Sequence, residues 1–440
     1  MSMTSALRFI INFRNSIAYL TSIIILAYVI LGLIAVSVEP PSLPDALNVI
    51  RFDQPGTART LLSTLIAGMI SLVVFSFSMV MSVLTQAGSN FSNKLVFGLM
   101  TEKKHQHVLG HYLGTILYIL ILLLVPAASD TPDTWRSLAV YLGAAMVINS
   151  LGLFVFFIHS ASQSVQINAI TQDLLESTRQ ALKKLKRRQE DSAYICGHQT
   201  IDPYRCHPVF SRYSGYIQSA ELKKLAKLAK KKNIAIHFNF SFGVFVVKHF
   251  PIIHIESSEP PSNEILDEIQ SSLKYVEGES TEDHYVNGLT QLMEVAIKAL
   301  SPGINDPGTA RLCVHQITEL FSQRLTMTPS NMIVDSDGKC LVSWHEEALE
   351  SLMFRVFNPI LHYGGDDLSI CLSLLSALKT LSNFAEPPEL ETIQRHADRI
   401  IQRLAQDYTD PLEVDFVEAR LSEGVHRLSL PQTLQAPVAG

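Results

Sequence analysis

The stretch LLSTLIAGMISLVVFSFSMVMSVL, Leu61–Leu84, runs for 24 residues without a single Lys, Arg, Asp or Glu. At about 1.5 Å of rise per residue it reaches roughly 36 Å as a helix, more than the roughly 30 Å of a hydrocarbon core. A bilayer leaves backbone polar groups no water to bond, so such a segment satisfies them internally as a helix. Three more segments of the same kind flank it: Ser16–Val38, Val108–Ala127 and Leu138–Ile158. None holds Lys, Arg, Asp or Glu, and all four lie within the first 160 of 440 residues. The expected fold class is an α-helical polytopic membrane region of four transmembrane helices, followed by a cytosolic α+β unit and a mainly helical domain.

Charge divides the chain at the same place. Residues 1–160 carry eight Lys/Arg and six Asp/Glu, whereas residues 161–440 carry 27 and 35. An acidic second part argues against nucleic acid as a partner, because phosphate binding needs basic surface to displace counterions. Orientation is read from Lys and Arg in short loops. Arg8 and Arg14 precede the first span, Lys94, Lys103 and Lys104 lie between the second and third, and Lys183–Arg188 follow the fourth. The other two loops hold Arg51, Arg59 and Arg136 alone. The expected location is the inner cell membrane, multi-pass, with both termini cytoplasmic. The first apolar run is too long for a signal-peptide core and no A-x-A site follows, so it is expected to remain as a span. Cys196, Cys206, Cys313, Cys340 and Cys371 all fall on the cytoplasmic side of this topology and read as free thiols.

Beyond the spans the organisation is coarser. Residues 1–160 form the membrane region and residues 161–190 a helical extension of the fourth span, whose pattern continues through Leu174 and Leu175 to Leu185. Residues 191–261 read as a small α+β unit. Within it, 189–212 looks like a loop, Ala220–Lys232 is a basic amphipathic helix, and Ile234, Ile236, Phe238 and Phe240 alternate as a strand. Short strands are expected at Tyr216–Gln218, Phe245–Val247 and Ile252–Ile255, and Pro260-Pro261 closes the unit. Residues 262–428 are mainly helical, with one hairpin, Met332–Val334 and Cys340–Trp344, around Asp335-Ser336-Asp337-Gly338. Residues 429–440 are expected to be a flexible tail.

Several local wordings carry a resemblance. They are Ser89-Asn90-Phe91-Ser92-Asn93-Lys94-Leu95, Val108-Leu109-Gly110 with Gly114, Phe157-Ile158-His159, Ser214-Gly215-Tyr216-Ile217-Gln218, and Ser301-Pro302-Gly303-Ile304-Asn305-Asp306-Pro307. In this order they resemble the domain-of-unknown-function 2254 family of predicted bacterial membrane proteins, over about residues 5–428. The resemblance implies a four-span N-terminal region and a cytosolic C-terminal region, and no catalytic residues. This chain departs from the pattern at Ser160, where members often carry a histidine. It departs again at Gly243-Val244 and Lys248-His249, where they often carry Gly-Asp and a later Gly.

Three constellations are weighed for chemistry. In the second span, Thr64, Ala67, Ser71, Ser78, Ser82 and Thr85 recur near every 3.5 residues, with Phe75 interrupting midway. Small and hydroxyl residues on one face suit a helix–helix seam, or the wall of a solute path built from several copies with Phe75 as an apolar constriction. Ser301, Asn305 and Asp306 sit between two amphipathic helices, with Asp306 placed to cap the second and Pro307 at its first turn; the segment reads as a structural corner or a ligand site. Cys196, His198, Cys206 and His207 are weak metal candidates, since their spacing matches no standard zinc site. The spans hold no Asp, Glu, Lys or Arg, which disfavours an ion-coupled pump, and Asn149 is the strongest polar group of the fourth. No phosphate-binding glycine loop or G-x-S-x-G elbow is present, so neither enzyme activity nor a cofactor is expected. The functional expectation is an oligomeric channel-like membrane protein with a cytosolic regulatory region. The alternative is a membrane-anchored sensor or scaffold binding a cytosolic protein or small ligand. Lipid bilayer and further copies of the chain are the expected partners.

Overall fold

The computed structural model describes residues 18–37, 52, 55–90, 103–124, 134–164, 167–197, 206–276, 281 and 283–434. The basic N-terminus, most of the loop after Asn90, the turn at Asp130–Asp133 and His198 lie outside the described residues. The chain forms two compact units, Met1–Ile170 and Thr171–Gly440.

The first unit is built from α1 (Ala18–Ser37), α2 (Pro55–Asn90), α3 (Lys103–Leu124) and α4 (Thr134–Ser164). Each contains a segment long and apolar enough to cross a membrane: Tyr19–Ser37, Gly56–Ser82, Gln106–Leu124 and Trp135–Ser160. Lipid tails are as apolar as leucine, so these helices associate through close contact and hydrogen bonds rather than through hydrophobic exclusion. The glycines of α3 supply the contact. A methyl group at Gly110 would sit 3.0 Å from Ile24 Cβ, and one at Gly114 2.7 Å from Tyr28 Cγ. Gly32 of α1 reciprocates, its missing Cβ leaving room for Ile121. Hydrogen bonds fix the register: Tyr28 Oη lies 2.7 Å from His111 Nδ1, and Thr21 Oγ1 donates to the Gln106 carbonyl at 3.1 Å. Trp135 Nε1 donates to the Ala35 carbonyl at 3.1 Å and Tyr118 Oη to that of Ala139 at 3.0 Å, tying α4 to α1 and α3.

The second unit opens with α5 (Ile167–Gln189), which contributes most of its length to it. The helix expected to run from the fourth span to Leu185 is described on both sides of residues 165–166, as α4 up to Ser164 and α5 from Ile167, and those two residues lie outside the described ones.

Among the described residues nine short strands follow: β1 (Tyr194–Ile195), β2 (Cys206–Phe210), β3 (Gly215–Ala220), β4 (Ala235–Phe238), β5 (Phe245–Val246), β6 (Pro251–Glu256), β7 (Leu273–Val276), β8 (Met332–Val334) and β9 (Cys340–Ser343). They make a six-stranded sheet of order β1-β8-β9-β4-β6-β2 and a three-stranded sheet of order β5-β3-β7. All pairs are antiparallel except β4 with β9. Between β3 and β4 lies α6 (Leu222–Lys232), which buries Leu222, Leu225 and Leu228 in the core of the sheets and leaves its lysines in water. It ends on Asn233 at φ 52°, a left-handed cap that asparagine tolerates.

The six-stranded sheet crosses the boundary expected at Pro260-Pro261. The β8–β9 hairpin comes from residues 332–343, yet Val342 of β9 pairs with Ile236 of β4. Two stretches read as separate, 191–261 and 262–428, thus share one sheet and one core. β2 lies in the segment expected to be a loop and carries Pro208; it is an edge strand, where a missing amide hydrogen is tolerated.

The rest is helical: α7 (Asn263–Ser271), α8 (Tyr285–Ala299), α9 (Pro307–Leu325), α10 (Leu349–Gly364), α11 (Leu368–Ser382), α12 (Pro387–Asp407) and α13 (Pro411–Ser422). Gly288 of α8 meets Thr178 of α5 so closely that any Cβ there would overlap the threonine hydroxyl. The buried Lys379 ammonium of α11 donates to the carbonyls of Arg420, Leu421 and Glu423 at 2.7–3.0 Å and closes the end of α13. The expected tail is tied down over its described part: Ser429 N donates to Gln394 Oε1 and Leu434 N to Glu418 Oε1, both at 2.8 Å.

Candidate functional site

The α2 face selected from the sequence is a real surface. Thr64, Ser71, Phe75, Ser78, Ser82 and Thr85 are all exposed in the single chain. Thr64, Ser71 and Thr85 donate to the carbonyls four residues back, at 2.9, 3.1 and 2.8 Å, so these hydroxyls are satisfied within their own helix. Inward packing of α2 uses another face, with Leu62, Met69 and Ser76 buried. The hydroxyl face is therefore not a seam inside one protomer. Phe75 lies at its edge, edge-on to Phe154 of α4 at 5.8 Å between ring centres.

A second polar group joins this exterior. Asn149 of α4 is exposed, and among the described residues its amide has no hydrogen-bond partner. Its level on α4 lies between Gly143, which packs beside Leu62, and Phe154, which meets Phe75. It is thus near mid-span. Gly68 and Gly152 open onto the same exterior: a Cβ at either would meet nothing within 4 Å.

The Ser301–Pro307 segment is an exposed corner between α8 and α9. Asp306 caps α9, its Oδ1 accepting from Thr309 N at 3.1 Å and its Oδ2 from Thr309 Oγ1 at 2.6 Å. Those hydrogen bonds hold its carboxyl below the usual carboxylate range. Ser301 Oγ donates to the Lys298 carbonyl at 2.6 Å, and Asn305 takes a left-handed φ of 47°. The Ser301 hydroxyl and the Asp306 carboxylate are thus used by the turn itself.

The weak metal candidates are separated rather than gathered. Cys196 follows β1, at one edge of the six-stranded sheet, while Cys206 and His207 sit on β2 at the other. Five strand spacings of about 4.8 Å put the two edges roughly 24 Å apart. Among the described residues no three His, Cys, Asp or Glu side chains gather as a metal site, and all five cysteines are unpaired.

A cleft that the sequence reading missed lies in the second unit, with a volume of about 440 Å³. Its rim carries Lys184, Arg188 and Arg355, and its walls include Phe242, His284 and Glu346. At its floor Arg324 Nε donates to Tyr285 Oη at 3.1 Å, and Tyr285 Oη donates to Glu346 Oε1 at 3.3 Å. Burial pushes the Glu346 carboxyl upward, with the Arg324 guanidinium pulling the other way. Burial likewise lowers His284, opposed by its contact with the Gln218 carbonyl. A concave site with perturbed titratable groups and a mixed-charge rim is suited to holding a small polar molecule. The run Trp344-His345-Glu346-Glu347 was the available signal. It went unread because its partners Tyr285 and Arg324 lie on other elements.

The comparisons with known proteins agree with the membrane architecture. An uncharacterized protein of Mycobacterium bovis and one of Mycobacterium tuberculosis are each 23% identical over 390 residues, covering 87% of this chain and 75% of theirs. No solved structure matches the chain. The sequence model of a predicted membrane protein family, DUF2254, matches residues 14–380, from the first span to α11. With its four membrane-length helices and this match over most of its length, the chain belongs to the DUF2254 family of predicted membrane proteins.

Proposed function

We propose that this protein is an oligomeric, channel-like component of the inner cell membrane, with its termini and second unit in the cytoplasm. The α2 face lines or borders the path. What carries the reading is the exposed exterior of the first unit: among the described residues Asn149 has an amide with no hydrogen-bond partner, level with the exposed Gly68 and the Ser71 region of α2. An amide facing hydrocarbon alone is unfavourable, and a second copy or a wetted wall would satisfy it. Phe75, exposed midway along the same helix, would supply an apolar constriction of the kind that gates by dewetting. The reading assigns no catalytic chemistry and no cofactor.

The cleft over Glu346 favours a second role within the same protein, a cytoplasmic sensor that biases the membrane part. Without a path, the same cleft would leave a membrane-anchored sensor or scaffold.

The deciding experiment uses the full chain in nanodiscs and liposomes. Native mass measurement should find more than one copy per particle, and Phe75→Ser should raise solute flux over the wild type. A strict monomer, or no flux from well-folded wild type and Phe75→Ser across ions, tension and voltage, would overturn the channel and leave the sensor.

A further inference from the structure

The second unit carries an apolar surface that its own fold does not cover. Phe210, Tyr213, Phe245, Val247 and Phe250 are each 50–57% exposed. They come from two neighbouring segments held rigidly together. Phe210 pairs with Pro251, and Tyr216 with Phe245. Between these ladders Ser211 N donates to the Phe250 carbonyl at 2.9 Å, and His249 N to that of Ser211 at 2.8 Å. Lys248 N donates to Ser214 Oγ at 3.0 Å. His249 holds a left-handed φ of 67°, a turn that histidine adopts more readily than most residues, immediately before Phe250. The exposure of these rings is thus built by hydrogen-bonded backbone.

The chemistry of the patch indicates what it meets. Residues 206–220 and 240–255 contain no Asp or Glu, although residues 161–440 carry 35 acids against 27 bases. Their charged groups are Arg212, which pairs with Asp267, and Lys248, which is exposed. Asp267 is thus an acid beside Arg212, at the Phe210–Tyr213 end, whereas the Phe245–Phe250 end joins aromatic rings to Lys248 with no acid in its own segment, the composition of segments that sit at the lipid–water boundary. Edge-to-edge pairing with a second copy is poorly served: β5 is two residues long, and β2 carries Pro208 and a register shift at Val209/Phe210. A bilayer is also always close, because the four spans of the same chain anchor it there at high effective concentration.

We infer that this patch is a membrane-docking surface. Phe245, Val247 and Phe250 enter the interfacial region of the bilayer, with Lys248 directed at lipid phosphate. The inference rests on the membrane anchoring alone and stands or falls independently of a channel.

The test uses full-length protein in phospholipid nanodiscs, with Cys196, Cys206 and Cys340 changed to Ser and spin labels placed through Phe245→Cys, Phe250→Cys or Val425→Cys. Val425, 87% exposed, is the water-facing control. At 245 and 250, collisions with lipid-soluble oxygen should exceed those with a water-soluble nickel complex, and the order should reverse at 425. Labels at 245 and 250 that behave like 425 would overturn the inference. So would exclusion of both reagents with dipolar broadening between copies, which would assign the patch to a second copy. A measurement on the wild type guards against misfolded variants. A lipid-borne carbene precursor should modify the peptide containing Val244–Phe250, and an unmodified peptide would also refute lipid contact.

Discussion

Two faces rich in small residues, Gly110 and Gly114 on α3 and Thr64 through Thr85 on α2, meet different fates. The α3 glycines are covered by Ile24 and Tyr28 of α1, close enough that a Cβ has no room. The α2 hydroxyls remain on the exterior, bonded at most to their own helix. Both faces allow close approach, yet only one is used within the protomer. Small residues in a span therefore mark where a helix can be approached, and the folded chain shows which approach is already taken.

The largest expected effect breaks or confirms this contrast directly. Gly114→Leu should destabilise the α1–α3 pair by about 1–3 kcal/mol or more through overpacking, whereas Gly68→Leu should leave the protomer as stable as wild type because nothing lies within 4 Å of its Cβ. Thermal unfolding in detergent reads both. Equal losses would mean that the α2 exterior is packed after all.

Asp306 gives a yardstick for a polar group whose partners all lie in the protomer. Asp306→Ala should cost about 1 kcal/mol, the usual worth of an N-cap. Its carboxyl titrates below the ordinary 3.8 when folded. The stability it adds is therefore complete above pH 3.8 and is lost as pH falls through the folded value. The variant should show a flatter acid limb in a pH series of unfolding curves, and a limb that coincides with wild type would remove the cap as its cause.

Asn149→Leu should lower assembly rather than protomer stability. An interhelical side-chain bond in a membrane is worth about 0.6 kcal/mol, so the shift belongs in the dissociation midpoint of the oligomer, read by native mass measurement at graded detergent. An unchanged midpoint with unchanged flux would detach Asn149 from both interface and path.

Ser71→Ala is the smallest test. Among the described residues its hydroxyl bonds the Ala67 carbonyl of its own helix alone, at 3.1 Å, so thermal stability should move by no more than a few tenths of a kcal/mol. A loss comparable to that of Asp306→Ala would show that the α2 face is packed.

The spans were legible because each is a continuous apolar run, and local composition alone forces helix in a bilayer. The hairpin at Asp335–Gly338 was legible for a similar reason: Gly338 takes φ 79°, and the Asp335 side chain accepts from Asp337 N and Lys339 N at 2.9 Å, all within five residues. β2 was not, since Pro208 reads as loop until its edge position is known. Cys196 and Cys206 looked adjacent because they stand ten positions apart, yet β1 and β2, beside which they lie, are opposite edges of a six-stranded sheet.

By itself, then, the sequence determined that four helices are long and apolar enough to cross a membrane, where most helices and strands of the second part lie, and which hydroxyls share a face on α2. Those are short-range matters of composition, period and cap chemistry. Only the tertiary structure decided that residues 191–261 and 332–343 build one sheet, that α3 rather than α2 supplies the close seam, and that Tyr285, Arg324 and Glu346 meet under a cleft. Each depends on pairing between residues 39 to 139 apart in sequence, and no local pattern specifies a partner at that distance.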